Sequence, residues 1–266
     1  MEKIRKRNVI SKIIISGVYF LALCKFITVP SYGEENIRPK ESTVLKIGLE
    51  GTYPPYSFHD INGTLTGFEV AIATEVAKRI GVKAQFIEGK WDGLIAGIDT
   101  GRYDIIVNMV NITPEREKKY TFSSPYIKSK AVLIVRKDNT SIKSFNDLKG
   151  KKSAQTITSN FSGLAKNAGA DLVLSDGFEQ SIQLILTGRA DATINENLSF
   201  LDFKKHKPDA PLKVVDQEKD VVSCGILMAK GKNTLKAQID KALSEIKNDG
   251  TYKSISIKYF DVDVSQ

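Results

Sequence analysis

Apolar and polar positions along the chain follow two periods. VLKIGLE, VKAQFIE and DIIV are short apolar-rich runs bounded by glycine or charged residues, and they read as strands. Between them, GFEVAIATEVAKRIG places Phe68, Ile72, Val76 and Ile80 on one face of a helix that Gly81 ends. WDGLIAGIDTG reads as a second helix, ended by Gly101. GTYPPYSFHD is a loop, and INGTLTG is a hairpin turning at Asn62-Gly63. Strands alternating with helices predict βαβ units and a mainly parallel sheet, an α/β fold.

The alternation restarts past residue 130. KAVLIVRK, KKSAQTI, DLVLS and DATIN read as strands. SFNDLKG is a short helical turn, and SNFSGLAKNAG, EQSIQLILTGR and NLSFLDFKK are helices. KDVVSCGILMAK is extended, NTLKAQIDKALSEIKNDG is a long amphipathic helix, and TYKSISIKYF is a last one. Two sets of βα units joined by two extended segments predict two lobes. The expected ligand site is the cleft between them, beyond the carboxyl ends of the strands.

The first 33 residues depart from this pattern. The basic run KIRKR, the apolar run IIISGVYFLALC at 13–24 and VPSYG form an export signal over 1–33, with cleavage before Glu34. The apolar run is short for a membrane span, and Lys25 interrupts it. An uncleaved anchor is one alternative. A lipid-bearing Cys24 is another, against which stands the bulky Leu23 where a small residue is usual. Residues 34–44, polar and containing Pro39, read as a linker. The net charge of +8 is partly local: residues 1–33 hold six basic residues and one acidic, leaving 33 basic against 30 acidic. That is no nucleic-acid footprint. The two cysteines, Cys24 and Cys224, form no CxxC, HExxH is absent, and His59 and His206 are far apart. Neither a metal, nor a cofactor, nor a Cys/His catalytic pair is expected.

Candidate chemistry centres on NITPEREKKYTFSSPY at 111–126. Thr113-Pro114 reads as a helix start, which places Arg116 in the first turn. A carboxylate is the stabilising charge there, not a cation. An anion held between the guanidinium and the N–H groups of Asn111 to Arg116 resolves the conflict. The plain alternative pairs Arg116 with Glu115, Glu117 or water. A second anion-friendly place is TITSNFSG at 156–163, where Ser159 or Asn160 begins a helix; simple capping is the alternative. Tyr53 and Trp91 follow strands and can bring rings to a cleft, or belong to the core. Glu196 ends the DATIN strand and can receive an ammonium, or serve as helix N-terminal charge. Glu50, at the end of the first strand, carries the same ambiguity.

In order, GTYPPYSF, GFEVAIA, WDGLIAGIDTGRYDIIVNMVNITPER and FSSPY resemble the solute-binding proteins of bacterial amino-acid ABC importers, from about Val44 to the C-terminus. SNFSGLAKNAGA, GRADATINENLSFLDFKKHKPDAPLKV and DGTYKSISIKYF resemble the cystine-binding members. The resemblance implies a type II periplasmic binding protein-like fold, two lobes joined by two hinge crossovers. Lobe 1 would span 45–130, lobe 2 131–223, and 224–266 would return to lobe 1. Arg116 is implied to hold the ligand α-carboxylate, helped by donors around Asn111, Ser159 and Asn160. Glu196 and the Met109 carbonyl are implied to take the α-ammonium, with Tyr53 and Trp91 flanking. Glu50, Asn108 and Thr156 suit the far end of cystine, and Glu50 alone suits a basic side chain. The implied protein is an exported, monomeric capture protein that delivers an L-amino acid, cystine first, to a membrane permease. Arginine, lysine, histidine and glutamine are alternative ligands. Cyclohexadienyl dehydratases share the fold and supply the enzymatic alternative, with Glu196 or Glu50 as acid. Two positions depart from the family pattern. Glu196 stands where aspartate is usual, a side chain longer by about 1.5 Å. Ala71 replaces a common aspartate.

Overall fold

The computed structural model describes residues 43–265, so the expected signal, Cys24 and most of the linker lie outside the described residues. The chain opens with β1 (Val44–Leu49), the hairpin β2 (Phe58–His59) and β3 (Leu65–Thr66), α1 (Phe68–Arg79), β4 (Lys83–Glu88) and α2 (Trp91–Asp99). It continues through β5 (Ile105–Ile106), α3 (Pro114–Lys119) and β6 (Tyr120–Phe122). A connecting strand, β7 (Ile127–Ser129), leads into β8 (Ala131–Arg136), β9 (Lys152–Gln155), α4 (Asn160–Asn167) and β10 (Asp171–Leu174). Then come α5 (Phe178–Leu186), β11 (Ala192–Glu196), α6 (Asn197–His206) and β12 (Leu212–Gln217). The chain returns through β13 (Val222–Cys224) and β14 (Leu227–Ala229), and ends on α7 (Asn233–Asn248) and α8 (Thr251–Phe260).

These strands form two five-stranded sheets, ordered β4-β1-β5-β14-β6 and β10-β9-β11-β8-β12. In each sheet a single strand, β14 in the first and β8 in the second, runs antiparallel to its neighbours. The parallel parts are the βα units that the sequence pattern predicts. Between the sheets, β7 and β13 pair antiparallel, with Val222 opposite Ser129 and Cys224 opposite Ile127. The chain therefore crosses from one lobe to the other and back along adjacent strands.

Apolar periodicity explains the layers. Phe68, Ile72 and Val76 of α1 are fully buried, each such side chain stabilising the fold by about 1.5–3 kcal/mol. One apolar cluster runs from Ile47 and Phe68 through Tyr126, Ile127 and Cys224 to Ile134, Ile182 and Ile185. It joins the lobes through the crossover strands. A second cluster packs α2 residues such as Trp91 and Leu94 onto the first sheet, and a third packs Phe161 and Ala165 of α4 onto the second. Gly97 lets Tyr103 lie flat against α2, since a Cβ there would collide with the Tyr103 ring.

Candidate functional site

The carboxyl ends of β1, β9 and β11 and the loop after β5 converge on a pocket between the lobes. Glu50, Tyr53, Trp91, Asn108, Met109 and Asn111 line it from the first lobe. Thr156, Ser159, Asn160, Phe161, Gly177, Phe178, Asn195 and Glu196 line it from the second. Of the candidate ligand-binding residues, Glu50, Tyr53, Trp91, Met109, Asn111, Ser159, Asn160 and Glu196 thus share one pocket. Arg116 is not among the lining residues; half-buried, it reaches the carbonyl of Asn111, which is.

Glu196 is the last residue of β11, and its carboxylate is buried. It also stands at the N-cap position of α6, where its side chain makes no capping hydrogen bond. Its Oε2 accepts from the Ser129 hydroxyl on crossover strand β7, and its Oε1 accepts from Asn111 Nδ2 at 3.4 Å. Burial pushes its pKa up to about 7, against the pull of those two donors and of nearby Arg116. Asn111 Nδ2 also donates to the Cys224 thiol at 3.1 Å. Burial drives that thiol's pKa well up, and Glu196 adds to the effect.

Arg116 sits in α3, which is only six residues long. It therefore belongs to the last turn as much as to the first, and the expected conflict with the helix dipole is weak. The Thr113 hydroxyl caps α3 by accepting from the Arg116 N–H at 3.3 Å, as its Thr-Pro start predicts. The guanidinium donates to the Asn111 carbonyl at 3.0 Å and, across the cleft, to the Thr158 carbonyl at 3.4 Å. It lies 5.3 Å from the Trp91 ring centroid. Among the described residues no carboxylate lies within ion-pair distance of it, Glu115 and Glu117 included. Burial lowers its pKa.

Glu50 lies just past β1 and is locked to Asn108 in both directions. Its N–H donates to Asn108 Oδ1 at 2.8 Å, and Asn108 Nδ2 donates to Glu50 Oε2 at 2.7 Å. Burial raises its pKa to about 7, which the Asn108 bond opposes. The Trp91 indole N–H is buried without a protein partner among the described residues. Tyr53 packs edge-on to Phe178 at 6.3 Å and donates its hydroxyl to Asn195 Oδ1 at 2.6 Å, joining the lobes.

Part of the TITSNFSG loop is already engaged. Its amides at Ile157 and Thr158 already hold an anion, the carboxylate of Asp92 on α2. Asp92 accepts from Ile157 N at 3.1 Å, Thr158 N at 2.8 Å and the Thr158 hydroxyl at 2.6 Å. Likewise, the Ile112 N–H is taken by the Ser223 carbonyl at 2.8 Å, and the Arg116 N–H by Thr113. Those groups are not free donors. The Ser159 hydroxyl caps α4, accepting from Ser162 N at 3.1 Å, which is the plain capping alternative. Asp92, Phe178 and Ser129 carry no distinguishing signal in the sequence. A carboxylate one residue into a helix looks like ordinary N-terminal charge, and only the fold sets it opposite the other lobe.

Residues 45–262 match the family model of the bacterial extracellular solute-binding proteins, family 3. The chain belongs to that family. It is 43% identical over 228 residues to the L-cystine-binding protein TcyA of Bacillus subtilis, covering 85% of each chain. Among solved structures, an ancestral arginine-binding protein bound to arginine superposes with TM-score 0.77 at 38% identity, over 82% of this chain and 98% of that one. The L-cystine solute receptor of Neisseria gonorrhoeae, solved in the unliganded open conformation, is 41% identical over 85% of this chain and 96% of its own. Its TM-score is only 0.55. In the family 3 protein described here the lobes touch through Asp92, Tyr53 and Arg116, so its cleft is shut. The fold is the two-lobed type II arrangement of these binding proteins. Among the described residues no helix is long and apolar enough to cross a membrane, and no cluster of acidic, His and Cys side chains is suited to a metal.

Proposed function

We propose that this family 3 protein captures an amino-acid zwitterion, L-cystine by preference, between its lobes and delivers it to the membrane permease of an ABC importer. One observation carries the reading. The pocket buries the carboxylate of Glu196 in its wall, and the carbonyl of its lining residue Asn111 holds an arginine with no carboxylate partner among the described residues. A zwitterion supplies the missing charge to each. Its α-carboxylate would replace the Asn111 and Thr158 carbonyls on Arg116, since a charged acceptor makes the stronger bond. Its ammonium would be held by Glu196 and the Met109 carbonyl. Tyr53, Trp91 and Phe178 would close over the apolar stem and exclude water.

Three observations support cystine. TcyA is an L-cystine-binding protein by name. Glu50 and Asn108 offer mixed charge and amide groups for a second zwitterion. A second, wider pocket shares the walls Glu50, Gly177 and Phe178 with the first, and the two together would suit a ligand twice the length of a simple amino acid. The Glu50 carboxylate also favours a second reading, a basic amino acid such as arginine or lysine. A thermal-shift panel of cystine, arginine, lysine, histidine and glutamine separates the two. Cystine giving the largest shift supports the proposal; arginine shifting strongly while cystine shifts nothing overturns the choice of ligand. The protein acts as an exported monomer, binds no nucleic acid and performs no chemistry on the ligand.

A further inference from the structure

Glu69 lies outside the cavity wall, yet it is completely buried in the first turn of α1. An acid in that turn ordinarily offsets the helix dipole and meets free amides. Here the amides are met by backbone. The Phe68 N–H donates to the Pro55 carbonyl at 3.0 Å, and the Glu69 N–H to the Tyr56 carbonyl at 2.9 Å. Gly67, with φ of 132°, permits that close seating, since a Cβ there would collide with the Tyr56 carbonyl. The Glu69 carboxyl is thus released for another task. Its Oε1 accepts from the Met109 N–H at 2.6 Å and from the Tyr126 hydroxyl, while Oε2 is buried without a partner among the described residues.

Met109 is the point of interest in the cleft floor. Its φ is 48°, a left-handed conformation disfavoured for any residue with a side chain. Such a residue persists only where its surroundings over-determine it. Asn108 and Asn111 both line the cavity. The chain between them lies outside any strand, and the left-handed residue is its turning point. The neighbouring positions are pinned by backbone partners: Val107 N–H to the Gly48 carbonyl at 3.0 Å, and Gly225 N–H to the Val110 carbonyl at 3.1 Å. The Met109 N–H is pinned by the Glu69 side chain instead.

We infer that Glu69 is a positioning residue for the cleft. Its carboxyl fixes the left-handed turn at Met109, which sets Asn108 and Asn111 into the cavity. Through Tyr126 it ties that turn to the entrance of crossover strand β7. The inference rests on the reading of this cleft as the amino-acid site.

The test is hydrogen exchange of segment 107–112 in ligand-free protein, run beside L-cystine titration, for wild type, Glu69→Ala and Glu69→Gln. Glu69→Ala is expected to speed exchange of the Met109 amide by about 100-fold and to weaken cystine about tenfold. Glu69→Gln keeps an acceptor oxygen in place, so both readouts are expected to stay within about threefold of wild type. Adding Met109→Gly to Glu69→Ala is expected to recover part of the affinity, because glycine adopts positive φ without a side-chain clash. Unchanged protection in Glu69→Ala, or equal damage from Gln and Ala, overturns the inference. Should Glu69→Ala fail to fold, Glu69→Gln decides alone: protection and affinity kept support it, either lost overturns it. Exchange needs no ligand. A wild type that ignores cystine therefore defeats the functional reading while leaving the Glu69 question open to the same measurement.

Discussion

The lobes meet in two places that differ in kind. At the rim, Lys90 and Asp176 form an exposed pair at 2.6 Å, and half-buried Asp92 grips the exposed 157–158 loop. Inside, Tyr53 meets Asn195 and Asn111 meets Glu196 in a wall that also holds Glu50, with Glu69 buried behind it. Rim contacts exchange one set of solvated partners for another, so each is worth less than an inner one, and the exposed ion pair least of all. Inner groups have no water to fall back on, so a partner removed there leaves a charge stranded. Closure and recognition are therefore built from different chemistry: the rim holds the lobes together, and the interior decides what they hold.

Arg116 puts that division to its hardest trial. Arg116→Ala is expected to weaken cystine by about 100-fold or more, since truncating one partner of a buried charge pair costs about 2–5 kcal/mol. Calorimetric titration reads it directly, and affinity near wild type would remove the inner site from the account.

The next effect is on pH, and only the interior predicts it. Burial lifts Glu50, Glu69 and Glu196 from 4.5 to about 7. Between those values the folded protein holds protons that the unfolded chain has lost. These groups therefore make ligand-free stability fall as pH rises from about 4.5 to 7, and their penalty levels off above that. An ammonium seated on Glu196 would displace its proton, so cystine affinity is expected to rise over about pH 5.5 to 7.5. Thermal melts with and without ligand across that range check both signs.

Asp92→Ala is expected to weaken cystine about tenfold while leaving the preference among amino acids unchanged, because it raises only the free energy of the closed state. A changed preference in the thermal-shift panel would place Asp92 in recognition. Smallest is Lys90→Ala, expected to shift affinity by no more than about fivefold and to lose even that at high salt.

How much of this is legible in the sequence follows from what each signal depends on. Local periodicity determines α1, because Phe68, Ile72 and Val76 must face one way to be buried. Strand ends are equally local, so the run of residues alone puts Glu50 and Glu196 at the cleft. Contacts between the lobes are not local. Asp92 and Glu69 each stand second in their helices and look alike in sequence. One reaches across to Thr158, and the other reaches inward to Met109. Arg116 stands out in the sequence through a dipole conflict that a six-residue helix barely produces; its place at the cleft comes from the fold instead. The loops around 112 and 157 look like open anion sites because sequence cannot tell which amides the fold has already used.

A crystal structure of the protein grown with L-cystine decides whether the cleft holds a zwitterion by both charged ends. One cystine is expected inside the cleft, its α-carboxylate on the Arg116 guanidinium in place of the Asn111 and Thr158 carbonyls, and its ammonium on Glu196. Cystine bound outside the cleft, or lodged there with Arg116 still on those two carbonyls, would contradict that expectation.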